Sequence, residues 1–191
     1  MKIRESGMPE ENYWKSFFDV PEILHAMEIN ESVEHLAEFG CGYGTFTIPA
    51  AKVIGGLLFA FDLEEEMTKL VETRGKESGL ENLAVITRDF VDTGTGLPKK
   101  SVEYLMLFNI MHHSDPERIY KEAFRILKPG GKIGIIHWRS DIDTPRGPDL
   151  SIRPKPEDLL KQFDPEKFEV FKKPFNLGDF HFGLILRKKM I

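Results

Sequence analysis

A glycine-rich turn is the feature that most constrains what this chain can fold into. The turn Gly40-Cys41-Gly42-Tyr43-Gly44 follows an apolar, strand-like segment over residues 33–39 and precedes a helical one over 45–53. The next apolar run, over residues 56–62, ends in Asp62. Glycines at such a turn permit positive φ and let the backbone approach a ligand closely. A carboxylate at the end of the following strand can accept both hydroxyls of a ribose, so the pattern predicts a nucleotide-binding α/β domain.

The rest of the chain alternates between strand-length apolar segments and segments of helical period, which favours a parallel sheet. One or two helices are expected over residues 9–29. Residues 128–131 (KPGG) form a strong breaker, and residues 176–179 carry the turn of a terminal hairpin. The predicted strands are 33–39, 56–62, 83–88, 102–108, 132–138, 167–175 and 182–188, and the other predicted helices are 45–53, 64–78, 115–127 and 156–163.

Composition narrows the function classes. The length of 191 residues predicts one domain, and 26 Lys+Arg against 31 Asp+Glu give a net charge of −5. This acidic balance argues against a nucleic-acid partner, because phosphate contacts require a basic face. Cys41 is the single cysteine, which excludes an intramolecular disulfide and a multi-cysteine metal site. Neither a membrane-length apolar run nor an apolar signal core is visible, so we expect a cytoplasmic protein without membrane contact.

The spacing of the glycines bears on which nucleotide binds. A dinucleotide fingerprint reads G-x-G-x-x-G, whereas here the third glycine is Gly44 and position 45 is threonine. No Gly-Lys-Ser/Thr follows the turn, which argues against a phosphate loop. Glu38 stands two residues before the first glycine. An anion at that position would repel a pyrophosphate but would suit a ligand carrying an ammonium or a sulfonium.

Taken in order, the motifs resemble those of the class I S-adenosylmethionine-dependent methyltransferases with a ubiquinone/menaquinone-biosynthesis-like domain. The matching segments are residues 38–44, Asp62-Leu63, Asp89-Phe90, residues 108–113 (FNIMHH) and residues 125–131 (RILKPGG). The resemblance implies an α/β, Rossmann-like, doubly wound sheet of seven strands in the order 3-2-1-4-5-7-6, with strand 7 antiparallel. It also implies S-adenosylmethionine as cofactor, S-adenosylhomocysteine as product, and ligands at the carboxyl ends of the strands.

The resemblance further implies which residues touch the cofactor. Asp62 matches the acid that holds the ribose, Leu63 the residue that packs on the adenine, and Asp89 the acid that contacts the adenine amino group. The N-terminal aromatic residues lie on a segment that commonly closes over the site in this family, although they could also form an amphipathic helix that packs on the sheet. The cofactor-binding residues so implied are Tyr13, Trp14, Glu38, Phe39, Gly40, Cys41, Gly42, Tyr43, Gly44, Asp62, Leu63, Met67, Asp89, Phe90, Phe108, Asn109 and Ile110.

The implied reaction is an SN2 transfer of the sulfonium methyl group to a small-molecule acceptor. A general base is needed only where the nucleophilic atom of the acceptor is protonated. Three histidines near the predicted strand ends, His112, His113 and His137, are the catalytic candidates, because histidine titrates near neutrality. Each of them could instead order a loop or fill the mouth of the site. No metal site is expected, since adjacent His112 and His113 diverge and no third ligand stands out.

The resemblance divides the single domain, residues 1–191, into three parts. Residues 1–30 would form a helical lid, 31–138 the cofactor-binding core, and 139–191 an acceptor-side loop, a short helix and a terminal hairpin. The loop arginines Arg139, Arg146 and Arg153 are expected to pair with neighbouring aspartates rather than with an acidic substrate. Two alternatives stay open at this point, an NAD(P)-dependent oxidoreductase and a non-catalytic scaffold that binds S-adenosylmethionine. A homodimer through the edge formed by the last strands also stays open.

Overall fold

The computed structural model describes residues 9–113 and 115–190 and contains one seven-stranded sheet. The sheet order is β3-β2-β1-β4-β5-β7-β6, with β1 to β5 parallel and β7 antiparallel to both of its neighbours. This confirms the predicted fold class and strand order. The strands are β1 His35–Phe39, β2 Leu57–Asp62, β3 Leu83–Thr87, β4 Val102–Phe108, β5 Leu127–Trp138, β6 Phe168–Leu177 and β7 His181–Lys188.

Helices cover both faces of the sheet. The two helices expected at the N-terminus are present, and Asp115 begins α5 as predicted by accepting a hydrogen bond from the backbone N–H of Arg118. Pro49 lies in the first turn of its helix, where its missing N–H costs nothing. The helices are α1 Glu11–Lys15, α2 Val20–Ala26, α3 Thr47–Val53, α4 Glu65–Glu77, α5 Pro116–Ile126 and α6 Pro156–Gln162, with a 3₁₀ turn over Leu150–Ile152.

Two hydrophobic cores lie on opposite faces of the sheet, because successive side chains of a strand point to opposite sides. On one face, Leu36 and Leu58 pack with side chains of α2, α3 and α4. On the other, Ala37 and Leu105 pack with side chains of α5 and α6. The near-continuous apolar strands seen in the sequence are therefore those of a sheet that is buried on both faces.

The KPGG segment was expected to form a break between a helix and the fifth strand, but it lies within the strand. β5 starts at Leu127 and runs through the KPGG segment, rather than starting at residue 132. Its pairing with β4 jumps from Val102↔Leu127 to Tyr104↔Lys132, so a bulge absorbs the extra residues. The terminal hairpin differs in a similar way, since β6 continues through Leu177 and its turn falls over 178–180.

Parallel strands bring their carboxyl ends to one edge of the sheet, which is where such folds bind ligands. The glycine turn follows β1, Asp62 ends β2, Asn109 follows β4 and Trp138 ends β5. These four strand ends therefore meet at one edge. No helix within the described ranges is long and apolar enough to cross a membrane.

Candidate functional site

A cavity of about 580 Å³ opens at the carboxyl edge of the sheet. It is bounded by the strand ends, by the N-terminal segment and by the loop that follows β5. The structure brings fourteen of the twenty predicted site residues to its wall. They are Trp14, Glu38, Gly40, Cys41, Gly42, Tyr43, Asp62, Leu63, Phe90, Phe108, Asn109, Ile110, His112 and His113.

Six predicted residues do not line the cavity. Phe39 lies wholly inside the core, with its ring stacked on that of Phe90 at 4.6 Å between centroids. The carboxylate of Asp89 accepts backbone N–H bonds from Val91 and Asp92, which shapes the turn after β3. The six residues are Tyr13, Phe39, Gly44, Met67, Asp89 and His137.

The glycine turn is fastened to the neighbouring strand by main-chain hydrogen bonds. The N–H groups of Gly40 and Cys41 both donate to the carbonyl of Phe61, at 2.8 and 3.0 Å. Gly40 has φ +78°, and a Cβ atom there would lie 2.9 Å from Cγ2 of Ile110. Glycine is therefore required twice at this position, by the backbone conformation and by the space. Gly40 also lines the cavity, so the predicted close approach of its backbone to a ligand stays a prediction that the geometry permits.

Asp62 ties the end of β2 to the same turn. Its Oδ2 accepts from the N–H of Gly42 at 2.8 Å and its Oδ1 from the N–H of Glu64 at 3.0 Å. The side chain is largely buried, and this burial raises the pKa of the carboxyl group. Each carboxylate oxygen offers two lone pairs. Asp62 is thus held rigidly and retains acceptor capacity for a pair of ligand hydroxyls.

Glu38 is a buried carboxyl group in the cavity wall, only 2% exposed. Burial raises its pKa to about 8, and the negative charge of Asp62 acts in the same direction. The hydroxyl of Thr47 donates to Oε2 at 2.5 Å, which opposes that shift in part. A cation in the cavity would favour the ionised form of Glu38. The site is therefore suited electrostatically to a positively charged ligand.

Two polar side chains in the wall are buried without a hydrogen-bond partner among the described residues. Both side-chain polar atoms of Asn109 and the hydroxyl of Thr45 are in this state. Asn109 also has φ +59°, although its N–H is bonded to the carbonyl of Ile136. Buried polar groups are nearly always paired, so unpaired ones in a cavity indicate a polar ligand. Sequence reasoning named Asn109 but missed Thr45, which was noted only as a departure from a dinucleotide motif.

The three candidate histidines occupy different environments. Nδ1 of His112 lies 3.2 Å from Nε2 of His137, and Nδ1 of His137 lies 3.2 Å from the carbonyl oxygen of Trp138. Nδ1 of His113 accepts from the backbone N–H of Asp115 at 3.1 Å. His137 is fully buried, which lowers its pKa to about 3. His137 is thus neutral at physiological pH and reaches the cavity only through His112.

The N-terminal segment is held against the glycine turn. Arg74 donates from Nη1 to the carbonyl of Tyr43 at 2.6 Å and from Nη2 to Oε2 of Glu11 at 2.7 Å. The hydrogen bond from Arg74 lowers the pKa of Glu11 to about 2. The hydroxyl of Tyr43 donates to the carbonyl of Pro9 at 3.0 Å. Arg74 of α4 therefore bridges α1 and the glycine turn, and Pro9, which precedes α1, is bonded to the turn directly.

The loop after β5 supplies a wall that sequence reasoning did not resolve. Arg153, largely buried, donates to the carbonyls of Arg139, Arg146 and Pro148 at 2.9, 3.2 and 2.8 Å. The expectation that it pairs with an aspartate was wrong, because a loop without regular structure leaves carbonyls that a guanidinium can satisfy. Arg139 does pair with Asp141, at 2.8 Å. The cavity residues missed in and near this loop are Trp138, Arg146, Gly147, Pro148, Asp149, Ser151 and Ile152.

A possible set of metal ligands lies away from this cavity. In the part of the chain that the structure describes, the one group of three or more such side chains is Glu34, His35 and Glu103. These residues stand at the amino ends of β1 and β4. They therefore belong to the opposite edge of the sheet, and none of them lines the cavity.

The chain is similar to known proteins both in sequence and in fold. Residues 36–131 match the family model described as a methyltransferase domain. An uncharacterized protein of Methanocaldococcus jannaschii is 33% identical over 71% of this chain and 62% of its own length. A demethylmenaquinone methyltransferase of Geobacillus stearothermophilus is 27% identical over 58% of this chain and 47% of its own length. The chain thus spans about half to three-fifths of the length of these two relatives. The crystal structure of a SAM dependent methyltransferase from Aquifex aeolicus superposes with a TM-score of 0.82, at 20% identity over 95% of each chain.

Proposed function

Because the chain belongs to the class I S-adenosylmethionine-dependent methyltransferases, we propose that it transfers the methyl group of S-adenosylmethionine to a small-molecule acceptor. The observation that carries the proposal is the glycine turn, which is fastened to Asp62 beside a cavity whose wall includes Asn109, a side chain without a partner among the described residues. When bound, S-adenosylmethionine would supply a methyl group attached to a sulfonium, and the neutral thioether that remains is the leaving group. The protein then contributes mainly position and the exclusion of water.

The residues of the cavity fit an adenosyl sulfonium compound. Asp62 would accept the two ribose hydroxyls, since both of its oxygens are already oriented by main-chain N–H groups. Glu38 would offset the positive charge of the ligand from a buried position. The unpaired groups of Asn109 and Thr45 would gain partners from the polar atoms of the ligand. Glu38, in the same wall, would repel a pyrophosphate when ionised, which disfavours the dinucleotide alternative.

The acceptor side of the cavity supports a small molecule. A site of about 580 Å³ lies within the range of small-molecule pockets. Trp14, Trp138 and the loop around Gly147 line the cavity and would shield the reacting atoms from water. The name of the relative from Geobacillus motivates demethylmenaquinone as the first acceptor to be tried. A homodimer, a cytoplasmic location and the lack of a nucleic-acid partner stay predictions.

Thermal unfolding tests the cofactor directly. A ligand at 100 times its Kd stabilises by about 2.7 kcal/mol, which corresponds to a rise in Tm of roughly 5–11 °C for a chain of this size. We expect that rise with S-adenosylmethionine and with S-adenosylhomocysteine, and none with NAD. A rise with NAD alone would contradict the proposal.

Transfer of radiolabel separates an enzyme from a scaffold. Methyl-labelled S-adenosylmethionine is incubated with the protein and a set of small hydroxylated and quinoid acceptors that includes demethylmenaquinone, and labelled product is extracted. We expect product with the unmodified chain and none with the Asp62→Ala variant, which loses the ribose contact. Binding without product across the whole set would favour the scaffold alternative.

A further inference from the structure

Two histidines at the cavity form a chain that ends on a main-chain carbonyl. The chain runs from the oxygen of Trp138 to Nδ1 of His137, and from Nε2 of His137 to Nδ1 of His112, with both distances at 3.2 Å. His112 lines the cavity, whereas His137 lies fully buried behind it. A carbonyl oxygen can only accept a hydrogen bond. The carbonyl oxygen of Trp138 therefore fixes the direction of both hydrogen bonds.

The protons of both rings follow from that direction. Nδ1 of His137 must carry a hydrogen in order to donate to the carbonyl, and because burial keeps this ring neutral, its Nε2 carries a lone pair. That lone pair accepts the hydrogen on Nδ1 of His112. A neutral His112 then has its own lone pair on Nε2. An isolated imidazole has no such enforced preference, so the assignment is imposed by the fold.

The neighbouring histidine has the opposite arrangement. Nδ1 of His113 accepts the backbone N–H of Asp115, so this nitrogen carries the lone pair. A neutral His113 therefore has its hydrogen on Nε2, which makes that nitrogen a hydrogen-bond donor and not a base. Two adjacent histidines that the sequence could not distinguish are thus assigned different chemical roles by their partners.

We propose that His112 is the catalytic residue that removes a proton from the acceptor, and that His137 is a positioning residue that fixes the tautomer of His112. This inference rests on the proposed function. It implies an acceptor whose nucleophilic atom carries a weakly acidic hydrogen, and a phenol is the representative of that class used in the test below. The O–H bond breaks as its proton moves to Nε2 of His112, and the oxygen forms the new bond to the methyl carbon. The carbon–sulfur bond of the methyl donor breaks with its electron pair left on sulfur, and the imidazolium later releases its proton to water.

Nitrogen NMR tests the assignment without any acceptor. Protein labelled with ¹⁵N in histidine is examined by long-range ¹H–¹⁵N correlation, and signals are assigned with single variants His112→Gln, His113→Gln and His137→Phe. We expect the hydrogen on Nδ1 of His112 and His137 and on Nε2 of His113. In His137→Phe the hydrogen of His112 should move towards Nε2, whereas His137→Gln should retain the native tautomer, because its amide oxygen can accept from His112. A hydrogen on Nε2 of His112 in the unmodified chain would overturn the proposal.

Kinetics with a phenolic acceptor test the catalytic role. We expect His112→Gln to lower kcat by about 10²- to 10⁴-fold while the Kd for S-adenosylmethionine, measured by calorimetry, stays within twofold. His137→Phe should lower kcat as well, and His137→Gln should restore most of it. His25→Gln, on the exposed side of α2, is the matched control.

The outcomes separate this inference from the function on which it rests. Equal kcat for His112→Gln and the unmodified chain, on a phenol that is not ionised at the assay pH, would overturn the catalytic role of His112 and leave the methyltransferase function standing. If the unmodified chain does not bind S-adenosylmethionine, the proposed function fails, and the tautomers found by NMR still decide whether His137 orients His112.

Discussion

The two walls of the cavity are built in different ways. The wall formed by the glycine turn is made of neighbouring residues whose N–H groups bond to strand ends, such as Gly40 to the carbonyl of Phe61. In the wall formed by the loop after β5, side chains make much of the bonding, and Arg153 alone donates to three carbonyls. Main-chain bonds between strand ends are fixed by the sheet itself. We call the first the donor wall and the second the acceptor wall, after their proposed roles. The donor wall is therefore fixed by the sheet, whereas the acceptor wall depends on side-chain hydrogen bonds.

The largest loss of stability and of binding is expected from a substitution at Gly40, in the glycine turn. Gly40→Ala would impose positive φ on a residue with a side chain and would drive Cβ to within 2.9 Å of Ile110 Cγ2. We expect a loss of about 2–5 kcal/mol of stability and the loss of measurable binding of S-adenosylmethionine. Urea denaturation and calorimetry measure the two effects.

Gly178→Ala is the matched control for this prediction. Gly178 also has positive φ, +57°, but a Cβ atom there would meet nothing within 4 Å. We expect it to cost only about 1–2 kcal/mol and to leave binding unchanged. Equal effects of the two variants would show that the close approach at Gly40 is unimportant.

The second prediction concerns how the free energy of unfolding depends on pH through Glu38, which lies in the donor wall. The pKa of Glu38 is about 8 in the folded chain, above its ordinary value of 4.5, so the folded state holds this proton more tightly than the unfolded state. Its contribution to stability is therefore complete below about pH 4.5 and is lost as the pH rises towards 8. Glu38→Gln should remove that loss, worth about 2–4 kcal/mol.

The measurement for Glu38 is urea denaturation of both chains at pH 5.5 and pH 8.5. The buried His137 and His181, whose pKa values are lowered to about 3, titrate in both chains alike. Their effects therefore cancel in the difference between the two chains. A difference that does not change with pH would mean that Glu38 is ionised in the fold throughout this range.

The smallest effect is expected on the acceptor wall. Arg153→Met would leave the carbonyls of Arg139, Arg146 and Pro148 without their donor. We expect a loss of about 1–2 kcal/mol of stability, a raised KM for the acceptor, and an unchanged Kd for S-adenosylmethionine. Denaturation, steady-state kinetics and calorimetry measure these three quantities.

Arg139→Met is the control for the loop. It removes the ion pair with Asp141, which solvent screens and which therefore contributes little to stability. A loss of binding of S-adenosylmethionine in Arg153→Met would contradict the separation of the two walls, because it would show that the loop supports the donor side as well.

Much of the donor wall could be predicted because its signal is local. The turn, Glu38 and Asp62 are recognisable from spacing and residue type, and the structure places all of them except Gly44 at the cavity. Phe39 and Asp89 belong to the same motifs but turn away, Phe39 into the core and Asp89 towards its own turn. A motif thus gives the neighbourhood of a residue, while strand alternation and turn hydrogen bonds decide where its side chain points.

The rest could not be predicted because its contacts join distant parts of the chain. His112 and His137 follow and end different strands, and only the sheet brings their rings together. The partners of Arg153 are main-chain carbonyls, which have no signature in the sequence. The bulge in β5 likewise depends on its pairing with β4, so a glycine pair that ends many helices here continues into a strand.

Trp138 lies close to both the N-terminal segment and the loop after β5. Its ring lies 5.2 Å from that of Phe17 in the N-terminal segment and 5.9 Å from the guanidinium of Arg153, and a Cβ atom at Gly147 would lie 2.9 Å from it. Its carbonyl orients His137. Trp138 thus packs against two segments that are far apart in the sequence, the N-terminal segment and the loop after β5. If the proposed function holds, exchange of those segments around a retained tryptophan would change the acceptor while the pocket proposed for the methyl donor stayed the same.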